Sequence, residues 1–259
     1  MMRYLYDGTF PGFLSAVYAS YHDGTGQMEG IGTAEGARDL FAEEKRVDTD
    51  LSHAHDVAQA FFERCGGAAS RWMYRAFLSG EKGREDLIFS YMRLGFRLGK
   101  ALYACRTEPP VWTVCRLSRK TGAEAEKFLG LVRFRELADG SLYAAIRPDH
   151  GILPLIAGHF QRRLGTHTWA IHDLGRGEAV LSEAGKLVFG KLRGSGDLAY
   201  SEDEERLCRL WQGYYRHMAI RGRYNPALRR SFMPEKYWEC LTEMTPEARA
   251  VSGDRRQEI

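Results

Sequence analysis

Apolar residues recur at intervals of three and four from residue 54 to about residue 105, and at intervals of two from about residue 129. One face of a helix repeats about every 3.6 residues and one face of a strand every two. This change of period limits the fold more than any other feature. It predicts an α+β protein: a helical N-terminal region, then an antiparallel-strand-rich region with packed helices. In the first region Val57, Phe61 and Cys65 mark one face, Trp72, Ala76 and Phe77 another, and Leu87, Ile88, Tyr91, Leu94, Leu98 and Leu102 a third. Ahead of them, Tyr4, Leu5 and Tyr6 read as a short strand stopped by Asp7 and Gly8. Thr9 can then cap a helix carrying Phe10, Phe13, Leu14, Val17, Tyr18 and Tyr21 on one side. Residues 24–50 are glycine-rich and acidic, and read as a strand around Ile31 plus loop.

Pro109 and Pro110 punctuate the chain, and a further helix is predicted from Val111 to about Phe128. Residues 129–137 then alternate, with Val132 and Phe134 to one side and Arg133 and Arg135 to the other. Asp139-Gly140 signals a tight turn into a second strand, residues 142–146. Pro148 to Gly151 breaks that strand, and a helix follows with Ile152, Leu155, Ile156, His159 and Phe160 on one face. Residues 166–173 alternate again, and short strands are expected around Val180 and Val188. Ser201 and Glu204 form a capping box for a helix with Leu207, Leu210, Trp211, Tyr214 and Met218 inside, which Gly222 ends. The expected division is residues 1–110, mainly helical; residues 111–244, α+β with a basic, aromatic C-terminal segment; and residues 245–259, a frayed tail.

Charge is segregated along the chain. Residues 1–63 carry 4 basic and 11 acidic side chains, residues 64–200 carry 22 and 13, and residues 201–259 carry 11 and 10. From Arg206 to Lys236, Arg206, Arg209, Arg216, Arg221, Arg223, Arg229, Arg230 and Lys236 stand against one acid, Glu235. Tyr214, Tyr215, Tyr224, Phe232, Tyr237 and Trp238 lie among them. Cations attract phosphate without regard to sequence, and flat rings stack on bases. This pattern points to a polyanion. Arg133 and Arg135, on one strand face, either grip adjacent phosphates or form the wet face of a hairpin. Five widely spaced cysteines without a C-x-x-C pair argue against a disulfide framework or zinc knuckle and suit a reducing cytoplasm. Neither a signal peptide nor a membrane span is expected.

The chemistry-bearing types cluster in one window. Asp149, His150, His159, His167, His172 and Asp173 are general-acid, general-base or metal-ligand types, but their spacing matches no zinc motif. His150, His159, His172 and Asp173 are the catalytic candidates, and no metal or cofactor is predicted. A P-loop, a nucleophile elbow and a dinucleotide fingerprint are all absent, so the reading leans away from catalysis by this chain alone. Trp211, Tyr214 and Met218, at helical spacing, read as core. Tyr224 is the better exposed ring, and Tyr237-Trp238 either touches a ligand or anchors the tail.

Several separated motifs form a known set: Tyr6 to Leu14 (YDGTFPGFL), Val132-Arg133-Phe134, Pro148-Asp149-His150, His159-Phe160 with Arg163, Trp169 with Ile171-His172-Asp173, Tyr224-Asn225-Pro226, and Phe232-Met233-Pro234 with Tyr237-Trp238. Together they resemble the uncharacterised "probable DNA metabolism protein" family, over residues 4–241. That family's domain is encoded beside a putative DNA-repair or DNA-modification radical SAM protein, and elsewhere it is fused to a uracil-DNA glycosylase-like domain. The resemblance implies a context and not a reaction: a DNA-binding accessory protein acting with a radical SAM partner. On that reading Arg221, Arg223, Arg229, Arg230 and Lys236 neutralise phosphates. Arg133, Arg135, Arg162 and Arg163 extend the surface, and Tyr224 and Asn225 contact the nucleic acid. An enzyme working on a DNA base or backbone through the His/Asp window, and a pure protein-interaction subunit, remain the alternatives.

Overall fold

The computed structural model describes residues 2–23, 28–33, 43–192, 198–218 and 225–244. The chain divides into two compact units, Met1–Gly122 and Ala123–Ile259, and the architecture is α+β. Among the described residues no helix is long and apolar enough to cross a membrane.

In the first unit, strands β1 (Met2–Tyr6), β2 (Met28–Thr33) and β3 (Glu43–Arg46) form a parallel sheet with β1 in the centre. The central place explains why Tyr4, Leu5 and Tyr6 are all buried, since a strand flanked on both sides must satisfy both faces. Helix α1 (Phe10–His22) starts where the sequence places it: the Thr9 hydroxyl accepts the Gly12 N–H at 3.0 Å. Asp50 caps α2 (Leu51–Cys65) in the same way, and α3 (Gly67–Phe77) and α4 (Arg84–Leu98) follow. Their inward faces close a core around Phe13, Phe61, Phe77, Ile88 and Tyr91. Strand β3 corrects the expectation of loop. Its four charged side chains are all exposed, so no apolar alternation announces it, and backbone pairing with β1 makes it a strand.

Helix α5 (Pro109–Leu131) begins on the two prolines, whose missing N–H groups cost little in a first turn. It contributes Val111, Val114 and Leu117 to the first core, and Ala125, Phe128 and Leu131 to the core of the second unit. The boundary between the two compact units falls inside this helix, at Gly122. The strand expected over residues 129–137 is corrected as well. α5 continues through Leu131, because Phe128 and Leu131 share a buried helical face, and only β4 (Arg135–Glu136) remains extended.

The second unit is built on a five-stranded mixed sheet of β4, β5 (Leu142–Ile146), β6 (Trp169–Asp173), β7 (Glu178–Glu183) and β8 (Lys186–Lys191), in that order. Gly140, at φ +80°, turns the β4–β5 hairpin, and the Asp139 carboxylate accepts the Ser141 N–H. α6 (Leu153–Leu164) connects the parallel pair β5 and β6, while the other pairs are antiparallel. Ile156 and Phe160 of α6, Trp169, Ile171 and Val180 of the sheet, and Tyr237 and Trp238 share one core.

α7 (Glu204–His217) and α8 (Pro226–Phe232) follow, then two 3-10 turns, Glu235–Cys240 and Thr242–Met244. Two expectations about α7 fail. Its first turn has no side-chain cap, since the Ser201 hydroxyl donates instead to Glu136 and Glu204 serves β4. Leu207, Leu210, Trp211, Tyr214 and Met218 are exposed, not core; Gln212, on the other side of the helix, donates to the Thr242 carbonyl, and the Trp211 indole N–H reaches Glu243. Gly222 and residues 245–259 lie outside the described residues.

Two glycines test the packing. A Cβ on Gly95 of α4 would stand 2.6 Å from Phe61 and 3.0 Å from the Cys65 sulfur, whereas one on Gly130 of α5 meets nothing within 4 Å. Gly95→Ala is expected to lower unfolding free energy by about 1–3 kcal/mol through overpacking. Gly130→Ala is expected to raise it by about 0.5 kcal/mol through reduced unfolded-state entropy. Urea denaturation of both proteins measures the difference.

Candidate functional site

Two motifs singled out in the sequence, Pro148-Asp149-His150 and Tyr237-Trp238, meet on one buried carboxylate. Glu124 projects from α5, where helical spacing puts it on the same side as Phe128. One of its oxygens accepts the Asp149 N–H at 2.8 Å and the Tyr237 hydroxyl at 2.5 Å, and the other accepts the His150 N–H at 2.8 Å. Arg176 closes the loop from the opposite side. Its guanidinium donates to the carbonyl of Pro148 at 3.1 Å and to that of Asp149, and holds the Asp173 carboxylate at 2.9 Å. Lys236 reaches the Asp149 carboxylate in an exposed pair. The loop between β5 and α6 is therefore tied to α5, to the β6–β7 turn and to the C-terminal segment. Burial, then hydrogen bonding to Glu124, drives the Tyr237 hydroxyl far above its usual range, so it acts as a fixed donor.

The four catalytic candidates separate on this geometry. His172 is buried, with Nδ1 2.9 Å from the Tyr143 hydroxyl and Nε2 3.1 Å from the Leu192 carbonyl, so both nitrogens are committed inside the fold. Asp173 is fully buried and accepts from the N–H groups of Gly175 and Arg176 and from the Arg176 guanidinium, which makes it a turn-former. His159 packs edge-on against Phe160, and its Nε2 is buried without a partner. His150 is partly exposed and has charged groups around it. Burial lowers its pKa, with Arg176 and Lys236 adding to the effect against Glu124 and Asp149, which favours the neutral imidazole. Among the described residues no three His, Cys, Asp or Glu side chains converge as ligands of a metal would.

The arginines separate too. Arg133 lies beyond the end of α5, not on a strand beside Arg135. Its Nη2 is 2.6 Å from the Glu243 carboxylate, which is 1% exposed, and its guanidinium covers the Trp211 ring. The Trp211 indole N–H donates to the same carboxylate at 3.0 Å. Arg135 holds Glu204, itself 6% exposed, at 3.1 Å and stacks on Tyr200 at 3.5 Å. The other Glu204 oxygen accepts the Glu136 N–H at 2.9 Å, and the Cys208 thiol, pushed up to about 11 chiefly by burial, donates to the first. Both arginines neutralise buried acids, although the Arg133 side chain keeps 21% and the Arg135 side chain 37% of its surface exposed.

Of the remaining cations, Arg162, Arg163, Arg230 and Lys236 are exposed, whereas Arg229 is partly buried, with its Nε out of water. Arg162 and Arg163 are exposed in the last turn of α6, and neither holds a carboxylate among the described residues. Arg229 and Arg230 occupy the last turn of α8, where Arg229 stacks on Trp238 at 5.3 Å and Arg230 faces Glu235 at 3.7 Å, both partners more than half exposed. Cations at helix C-termini are favoured by the helix dipole whether or not they bind anything. Lys236 stands by the loop that enters α6, whereas Arg162 and Arg163 stand at its far end, about 18 Å away at 1.5 Å per residue. The expected footprint is therefore two patches. Asn225 caps α8 by accepting the Leu228 N–H at 3.0 Å, a structural task. Arg221, Arg223 and Tyr224 lie outside the described residues. The sequence reading missed Glu124 and Glu243 and gave Glu204 only a capping role; for Glu124, an acid four positions before the core residue Phe128 in a helix was the available signal.

Removing Arg133 would strand a buried carboxylate. Arg133→Ala is expected to cost about 3 kcal/mol of stability, while Arg163→Ala stays within about 0.5 kcal/mol, both read by chemical denaturation. Burial would raise the Glu243 pKa, but the hydrogen bonds from Arg133 and Trp211 outweigh it and hold the carboxyl below its ordinary 4.5. A depressed folded pKa stabilises above the unfolded value and is lost as pH falls through the folded one. The stability gap between the unaltered protein and Glu243→Gln should accordingly be full above about pH 5 and shrink as the pH drops below about 4. A gap independent of pH from 3 to 7 (roughly, spanning the carboxylate range) would show that Glu243 is not charged in the fold.

Comparison with known proteins adds a family and no chemistry. No curated protein and no solved structure matches the chain. A family model described as a domain of unknown function, DUF4130, matches residues 82–243, which run from just before α4 into the last 3-10 turn and take in every buried carboxylate described above. That span is more than half of the chain, which therefore belongs to the DUF4130 family.

Proposed function

We propose that this chain is a DNA-binding accessory protein in DNA repair or modification and acts with a radical SAM partner. The observation that carries the reading is the division of the cations: buried carboxylates hold Arg133 and Arg135, while Arg162, Arg163, Arg230 and Lys236 stay at the surface. Ion pairs between exposed groups, such as Arg230 with Glu235, contribute little and can be exchanged for phosphate. The resemblance to the DNA-metabolism family supplies DNA as the polyanion and the radical SAM protein as the partner. A reducing cytoplasm suits five cysteines that are all unpaired.

A second reading, an enzyme acting on a DNA base or backbone, is favoured by one observation. His150 is partly exposed, has its pKa lowered by burial and is mounted on a loop fixed by Glu124 and Arg176, which is how a general base is held. Product formed on lesion-bearing oligonucleotides, and lost in His150→Ala, would favour that reading.

The accessory reading is tested by fluorescence anisotropy with labelled duplex and single-stranded DNA across a salt series. Arg230→Ala and Arg163→Ala should each weaken binding to all sequences alike and lower the slope of log K against log salt by about 0.7–0.9. Unchanged affinity and slope in both variants would sink the DNA reading, and failure to co-purify with the radical SAM protein would remove that partner.

A further inference from the structure

We propose that the outward face of α7 is a docking surface for a protein partner that presents a helix with an apolar ridge flanked by acidic residues. This surface is independent of the DNA reading, whose cations lie on α6, α8 and the turn after it. Leu207, Leu210, Tyr214 and Met218 each keep half or more of their surface in water. Their spacing of three, four and four sets them in one row along the helix, the seam that a second helix fills with interdigitating side chains. Single exposed apolar residues are ordinary, but a continuous row of them marks an interface.

The helix is held so that this row faces outward. Gln212 secures the opposite side to the last 3-10 turn through the Thr242 carbonyl at 3.0 Å, while Trp211, stacked on Tyr214 at the inner edge of the row, is tied to the Glu243 carboxylate at 3.0 Å. Glu204 fixes the first turn to Arg135. A partner would meet a face already ordered, which lowers the entropic cost of binding.

Charge selects the occupant. Residues 206–218 contain three arginines and no acid. The 3.6-residue repeat places Arg206 and His217 along the free edge of the row and Arg209 just beyond, all exposed. Glu205, already paired with Arg209 at 3.1 Å, is on the far side. A second copy packing antiparallel about a two-fold axis would set this cationic edge against itself. Nucleic acid would satisfy the arginines but leave Leu207, Leu210 and Met218 without an apolar counterpart. An acid-flanked apolar helix satisfies both.

The full-length protein is titrated by anisotropy into a fluorescein-labelled synthetic helix of about 20 residues with leucine on one face and glutamate on both flanks. A twin peptide with lysine flanks and a single-stranded oligonucleotide serve as alternatives, and sedimentation velocity reports self-association. The glutamate peptide should bind at least about tenfold more tightly than the lysine peptide. Leu210→Glu should lose at least about tenfold in affinity, with circular dichroism and thermal midpoint unchanged because Leu210 is exposed. Arg206→Glu should bind the lysine peptide better than the unaltered protein does. No binding of the glutamate peptide at about 0.1 mM, or binding indifferent to Leu210→Glu, overturns the proposal. A dimer abolished by Leu210→Glu would assign the face to a second copy, and loss of oligonucleotide binding in Leu210→Glu would assign it to nucleic acid. Either result overturns the proposal without bearing on the α6 and α8 cations.

Discussion

The second unit depends on carboxylates buried with their donors. Glu124 is the clearest: two oxygens, three donors, drawn from two segments more than eighty residues apart in sequence. An ionised carboxylate out of water is costly unless it is fully hydrogen-bonded, and once it is, each bond is stronger than a neutral one. The energy of leaving Glu124 unsatisfied is therefore what holds the loop before α6 against the C-terminal turns. Glu204 and Glu243 do the same for β4 and for α7.

This explains why charge counted along the chain is a poor guide to charge at the surface. An arginine can belong to a binding face or to the interior, and its sequence neighbours do not tell which. Arg133 and Arg135 are tied to buried acids because Glu243 and Glu204, over a hundred and nearly seventy positions away, arrive beside them. Arg162 and Arg163 are exposed, and no acid among the described residues meets them.

Local chemistry made much of the fold legible. Thr9, Asp50 and Asp139-Gly140 sit at the starts and turns they announce, since a cap or tight turn is satisfied within a few residues. Strand β5 and helix α6 follow from period and breakers alone. The failures share a cause. β3 is an all-charged strand formed only by pairing with β1, and residues 129–131 alternate in sequence yet continue α5, because Phe128 and Leu131 find a core there. α7 has the amphipathic pattern of a core helix and does not face its own core.

By itself the sequence determined the α+β class, most helix starts and the hairpin turn, all set by backbone sterics, short-range hydrogen bonds and apolar periodicity. Only the tertiary structure decided which acids are buried, and thus which arginines, histidines and aromatic rings remain available to a partner. Burial of a charge depends on whether a partner of opposite sign is delivered to it by the chain's path, and that information is carried by no local stretch of residues.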